Sequence, residues 1–157
     1  MAGEIRQALE NIITTIEAIA CDSVYHSTTK FSHVETLFSP EDLQSARGRT
    51  RKFICSPTGN TTWIGHMGQR SSPRELQTVI DVSILYAMSQ DAWELLTVCS
   101  EDADRLAYQL QDPTHYDALT TTIRIRQAAT WDLSEGDEEG STLILRMPVT
   151  IRYRPEF

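Results

Sequence analysis

Residues 74–88, RELQTVIDVSILYAM, alternate in polarity without a break. Leu76, Thr78, Ile80, Val82, Ile84, Tyr86 and Met88 fall on one side, and Gln77, Val79, Asp81, Ser83 and Leu85 on the other. This is the period-two pattern of a strand with core on one face. At about 3.3 Å per residue the run extends roughly 45 Å, longer than most strands in a domain of this size. A strand that outruns its own core pairs with something else. A chain of 157 residues has room for one domain, residues 1–157, built around such a sheet.

Two further segments alternate. Residues 119–131, LTTTIRIRQAATW, place Ile123, Ile125 and Trp131 on one face and Arg124 and Arg126 on the other. Residues 141–154, STLILRMPVTIRYR, place Leu143, Leu145, Met147, Val149, Ile151 and Tyr153 inward and Arg146 and Arg152 outward. Pro148 has no N–H to donate, so this strand is an edge or is bulged there. Residues 132–141 between them read as an acidic hairpin turn. Residues 47–56, RGRTRKFICS, join a basic cluster to a strand-like run, and the Gly- and Pro-containing residues 57–73 read as a flexible hairpin arm or loop, with room for a strand around Trp63-Ile64.

Helical periodicity is confined to two places. In residues 3–20, Ile5, Leu9, Ile12, Ile13, Ile16 and Ile19 share one face. Residues 91–111 carry Trp93, Leu96, Val98, Cys99, Ala103, Leu106 and Leu110 at helical spacing and stop before Pro113. Ser100 with Ala103-Asp104 leaves room for a break into two shorter helices. Residues 21–46 fit either a long loop or a short helix starting at Ser39-Pro40. The expected fold is therefore α+β, a largely antiparallel sheet with two main helices packed on one face.

The chemical motifs are missing. The histidines, His26, His33, His66 and His115, form no HExxH or i,i+4 pair, and the cysteines, Cys21, Cys55 and Cys99, form no CxxC. Neither a metal site nor a redox motif is expected, and the thiols read as unpaired in a reducing compartment. No GxSxG elbow or phosphate-binding glycine pattern occurs. The acids at Glu101-Asp102-Asp104 and at Asp137-Glu138-Glu139 read as solvated faces. An enzyme is not expected, nor a cofactor. No apolar run approaches 18 residues, so no membrane span is expected, and the N-terminus, with Glu10 and Glu17 inside its apolar stripe, does not read as a signal peptide.

Charge is more informative. The net charge is -8, against general binding of nucleic acid through a basic surface, yet of the 14 basic residues only Lys30 and Lys52 are lysine. Arginine is enriched at protein interfaces and lysine depleted, although a GC-rich genome also raises arginine. Arg124, Arg126, Arg146 and Arg152 recur on the polar faces of two strands, where like charges repel unless answered. Two readings stay open: intrachain pairing with helix acids such as Glu94, Asp102 or Asp104, or a contact in which acidic loops of one copy meet the arginine face of the next. The interface candidates are Arg47, Arg49, Arg51, Arg124, Arg126, Arg146 and Arg152.

The order of elements resembles the tail terminator proteins of long-tailed bacteriophages and the related neck and tail-completion proteins. The residues that carry the likeness are the strand ending ILYAM before an Asp-led helix, DAWELLTVCSEDADRLAYQL, and the C-terminal strand LILRMPVTIRYRPEF. The resemblance implies a virion structural protein of the tail-neck region, assembled in the host cytoplasm. It implies a homo-oligomeric, hexameric ring that caps the tail tube and meets the head-side connector, with DNA only as passing cargo. It implies no catalytic or cofactor residues. The rival readings are a head-closure or tail-completion adaptor and, from another class, a small α+β enzyme or ligand-binding domain.

Overall fold

A computed structural model describes residues 2–20, 30–35, 51–64, 75–88, 92–112, 114, 122–135 and 141–153. The chain is α+β: among the described residues, a six-stranded, mostly antiparallel sheet carries two helices packed against one face. The elements are α1 (Ala2–Glu17), β1 (Ser32–His33), β2 (Lys52–Ile64), β3 (Glu75–Met88), α2 (Ala92–Leu110), β4 (Thr122–Arg124), β5 (Thr130–Glu135) and β6 (Ser141–Tyr153). The expected helix start at Ser39-Pro40 and the interface candidates Arg47 and Arg49 lie outside the described residues.

The long alternating runs form the centre. β3 pairs with β6 from Leu76↔Tyr153 to Met88↔Ser141, and with β2 on its other side. Ile80, Val82, Ile84 and Tyr86 of β3 join Leu143, Leu145, Met147, Val149, Ile151 and Tyr153 of β6 in one buried cluster. The helices cover it. Ala8, Ile12, Ile16 and Ile19 descend from α1, and Val98, Cys99, Leu106 and Leu110 from α2. α1 closes as its last bonds tighten, Ala18 N donating to Thr14 O at 3.1 Å and Ile19 N to Ile16 O at 3.1 Å, which satisfies carbonyls that would otherwise be orphaned. α2 runs unbroken through Ser100 and Asp104. Both are exposed, so their polar side chains stand in solvent while the buried stripe passes beneath them.

β2 extends further than its composition suggests. Residues 57–64, read as part of a flexible arm, are strand paired to β3, and the two extra residues between Pro57 and Thr61 are absorbed as an irregularity. An even excess preserves the alternation, so Trp63, opposite Leu76, stays on the side of the sheet that faces the helices. Residues 132–135, read as turn, are likewise strand, pairing with residues 144–141 of β6.

The expected strand 119–131 is interrupted. β4 pairs with residues 150–152 of β6 and β5 with residues 141–146, on the edge that β3 leaves free. Residues 147–149 of β6 have no partner on that edge among the described residues, and Pro148 sits in their middle. The strand is thus central, and the missing proline N–H falls where its neighbour loops out. Residues 125–129 bridge the gap, with Ile125 N donating to the Gln111 side-chain oxygen at 3.1 Å.

Candidate functional site

The densest polar cluster is buried under α2. Arg51 precedes β2 on the helix side of the sheet, and Tyr86 lies on the same side of β3 by alternation with Ile84. Asp102 follows Cys99 by three residues and precedes Leu106 by four, in the inward stripe of α2. The three side chains meet. Arg51 Nε donates to Asp102 Oδ2 at 2.7 Å and Arg51 Nη2 to Asp102 Oδ1 at 3.2 Å. Tyr86 Oη donates to Asp102 Oδ2 at 2.9 Å. The guanidinium also stands 5.5 Å from the centre of the Phe31 ring.

Arg51, Tyr86 and Asp102 are 3%, 2% and 1% exposed, so no substrate reaches the carboxylate. Its oxygens are taken by a two-pronged arginine and a phenol, which fixes α2 against two strands. Burial and the Asp102 charge push the Tyr86 phenol well above its ordinary range. The cluster holds the fold and presents no reactive group. Arg51 is therefore withdrawn from the interface candidates, and Asp102 is not part of a solvated face. The signal was present: Asp102 falls at helical spacing with Cys99, Leu106 and Leu110, and such a position is buried whatever its residue type.

Cys55 and Cys99 are poor nucleophiles as well, and Cys21 lies outside the described residues. Burial pushes Cys55 and Cys99 from the ordinary 9.0 up to about 12, Asp102 adding to the effect at Cys99. Both are free. Because their pKa is higher folded than unfolded, the stability they contribute is complete below about pH 9 and is lost as pH rises toward 12. Native protein is expected to resist alkylation by iodoacetamide at pH 8 at both positions, and denaturant to release them; fast labelling of either in native protein would contradict this burial. Thermal denaturation from pH 8 to pH 11 should show a falling melting temperature.

The remaining arginines lie elsewhere. Arg146 and Arg152 alternate with the buried residues of β6, and Arg124 pairs across from Thr150, so all three belong to the sheet face opposite the helices. Arg124, Arg126 and Arg146 are exposed; Arg152 is half-buried and its Nε donates to the Gln77 side-chain oxygen at 3.1 Å. None of the four is ion-paired among the described residues. The helix acids stand across the sheet: Glu10, Glu17 and Asp104 are exposed on the helical layer, Glu10 paired to Arg6 at 3.0 Å. A shallow cleft of about 750 Å³ separates the outer faces of α1 and α2, lined by Thr15, Ile19, Arg105 and Tyr108 among others.

Among the described residues no three His, Cys, Asp or Glu side chains converge as metal ligands, and no helix is long and apolar enough to cross a membrane. No family model matches the chain, and no curated protein matches it. Twenty-five chains of solved structures match, among them one that is similar over 99% of both chains, with a TM-score of 0.50 and 15% identity. At that identity the likeness concerns the fold alone.

Proposed function

We propose that this chain is a structural subunit of a bacteriophage virion, a tail terminator whose copies form a closed, six-fold ring between tail tube and head-side connector. The observation that carries the reading is a set of arginines without an ion pair among the described residues, on the sheet face opposite the two described helices. Arg124, Arg146 and Arg152 share that face, while exposed Glu10, Glu17 and Asp104 lie on the side of those helices. In a protein of net charge -8, these three arginines, with Asp81 and Asp132 beside them on the same face by register, form a surface that exposed acids of a second copy can answer, and head-to-tail contacts between unlike surfaces build rings. The buried Arg51–Asp102 pair and the thiols of Cys55 and Cys99 add no chemistry that would favour an enzyme.

The test is the mass of the purified chain in solution, with and without polymerised tail tubes. A hexamer, or a monomer that assembles on tubes, supports the proposal. A ring that ignores tubes places the chain in another neck position, and a monomer that ignores them overturns the reading. Arg124→Glu with Arg126→Glu is expected to leave the melting temperature within about 2 °C of the parent, because both side chains are exposed. The same variant is expected to weaken assembly at least about tenfold. Loss of folding in that variant would assign the two arginines to the subunit's own stability.

A further inference from the structure

Among the described residues the sheet ends in two open edges. β2 is paired with β3 on one side, but its other side meets β1 only at Lys52 and Phe53. No described strand borders residues 57–64 on that side, and Pro57, Thr58, Thr61, Thr62 and Trp63 are exposed. At the opposite end, β5 pairs with β6 and with no other described strand, and Thr130, Trp131 and Asp132 are exposed. An unpaired edge is a row of N–H and C=O groups that accepts another extended backbone, and proteins blunt such edges with proline, bulges or charge. β2 is blunted only as far as Thr61, by Pro57 and the irregularity that follows it. Beyond it, Thr61, Thr62, Trp63 and Ile64 carry no charge, and Trp63 is 54% exposed.

We propose that the outer edge of β2 at residues 61–64 pairs with the outer edge of β5 in a second copy of this chain, so that one sheet continues through successive subunits. The chemistry of the site demands an extended strand, and this chain carries one at the far end of its own sheet. Because the two edges are different and lie at opposite ends, the contact is heterologous and repeats from copy to copy until it closes. Charge selects the same pairing. Two β5 edges would oppose Asp132 and Glu135 to the same residues of the next copy, whereas the β2 run is neutral. Two β2 edges would leave β5 open. Trp63 is in register with Leu76 and Trp131 with Leu145, so both half-exposed tryptophans lie on the helix side of the joined sheet. This inference rests on the ring reading and names its backbone contact.

Amide hydrogen exchange on the intact chain, assembled at high concentration and dissociated at low, tests it. Exchange at residues 61–64 and 130–135 is expected to slow at least about tenfold on assembly. Thr61→Pro and Thr62→Pro provide the companion variants, because alternate residues of an antiparallel strand direct N–H to opposite neighbours. One of them breaks a bond to β3 and lowers the melting temperature. The other keeps the parent's melting temperature and weakens assembly at least about tenfold, the loss expected when one or two hydrogen bonds go. Assembly with unchanged exchange in both segments overturns the edge contact and leaves the ring reading standing. Protection of residues 61–64 alone overturns the assignment to β5. A chain monomeric at every concentration, with tubes present, overturns both.

Discussion

Asp102→Ala is expected to lower the free energy of unfolding by about 3–5 kcal/mol, because it strands a buried guanidinium. Arg51 is 3% exposed, and its Nε and Nη2 are aimed at the carboxylate; with the carboxylate gone, its charge stays out of water without its ion pair. Tyr86 loses its acceptor as well. For a domain whose whole stability is about 5–15 kcal/mol, the melting temperature should fall by about 10 °C or more. Tyr86→Phe removes one donor and leaves the ion pair, so its cost should be only about 1 kcal/mol. Replacing both charges, Arg51→Met with Asp102→Leu, is expected to recover most of the loss, since well-packed apolar residues often match a buried pair in stability. Chemical denaturation of the four proteins checks the series. An Asp102→Ala variant within 1 kcal/mol of the parent by linear extrapolation would show that water reaches Arg51.

How far the sequence discloses the molecule depends on which force placed each residue. The sheet centre was legible because the inward faces of β3 and β6 are written by burial: every inward residue from Ile80 to Tyr86 and from Leu143 to Tyr153 is aliphatic, methionine or tyrosine. α1 was legible for the same reason at helical spacing. The extent of β2 was not, because its partner decides it. Residues 57–64 have turn-like composition, yet the first half of β3 offers them a ladder of hydrogen bonds. The interruption between β4 and β5 was half visible. Pro148 announces a missing donor, but not whether β6 or its neighbour deforms. Composition misled most at Asp102. An acid among acids reads as solvated, and only its phase in the α2 stripe, matched with a distant arginine, marks it as interior. The arginines of the face opposite α1 and α2 needed the opposite information: that the acids of those helices lie across the sheet and cannot answer them.

Phe53→Ala should cost about 3–5 kcal/mol, the range for emptying a fully buried aromatic position. Phe53 is 0% exposed and begins a cross-strand row: it is opposite Ile84, which is opposite Leu145, which is opposite Trp131. On its other side it stands edge-on to Phe31, with ring centres 6.5 Å apart, and 5.3 Å from the ring of His33. Its removal therefore leaves a cavity at the junction of β1, β2 and β3, where strands already paired along their backbones have little freedom to collapse. Trp93→Ala provides the contrast on the same scale of side chain. Trp93 is 74% exposed, and its loss should change stability by about 0.5 kcal/mol or less. Unfolding curves of the two variants separate burial from size; equal costs would mean that aromatic volume alone, and not its position in the row, decides the effect. The outcome also bears on assembly. β1 ends the ordered row beside β2, and the open edge of β2 starts a few residues further on. If Phe53 anchors that end of the sheet, its loss should weaken ring formation, whereas Trp93→Ala should leave ring formation unchanged.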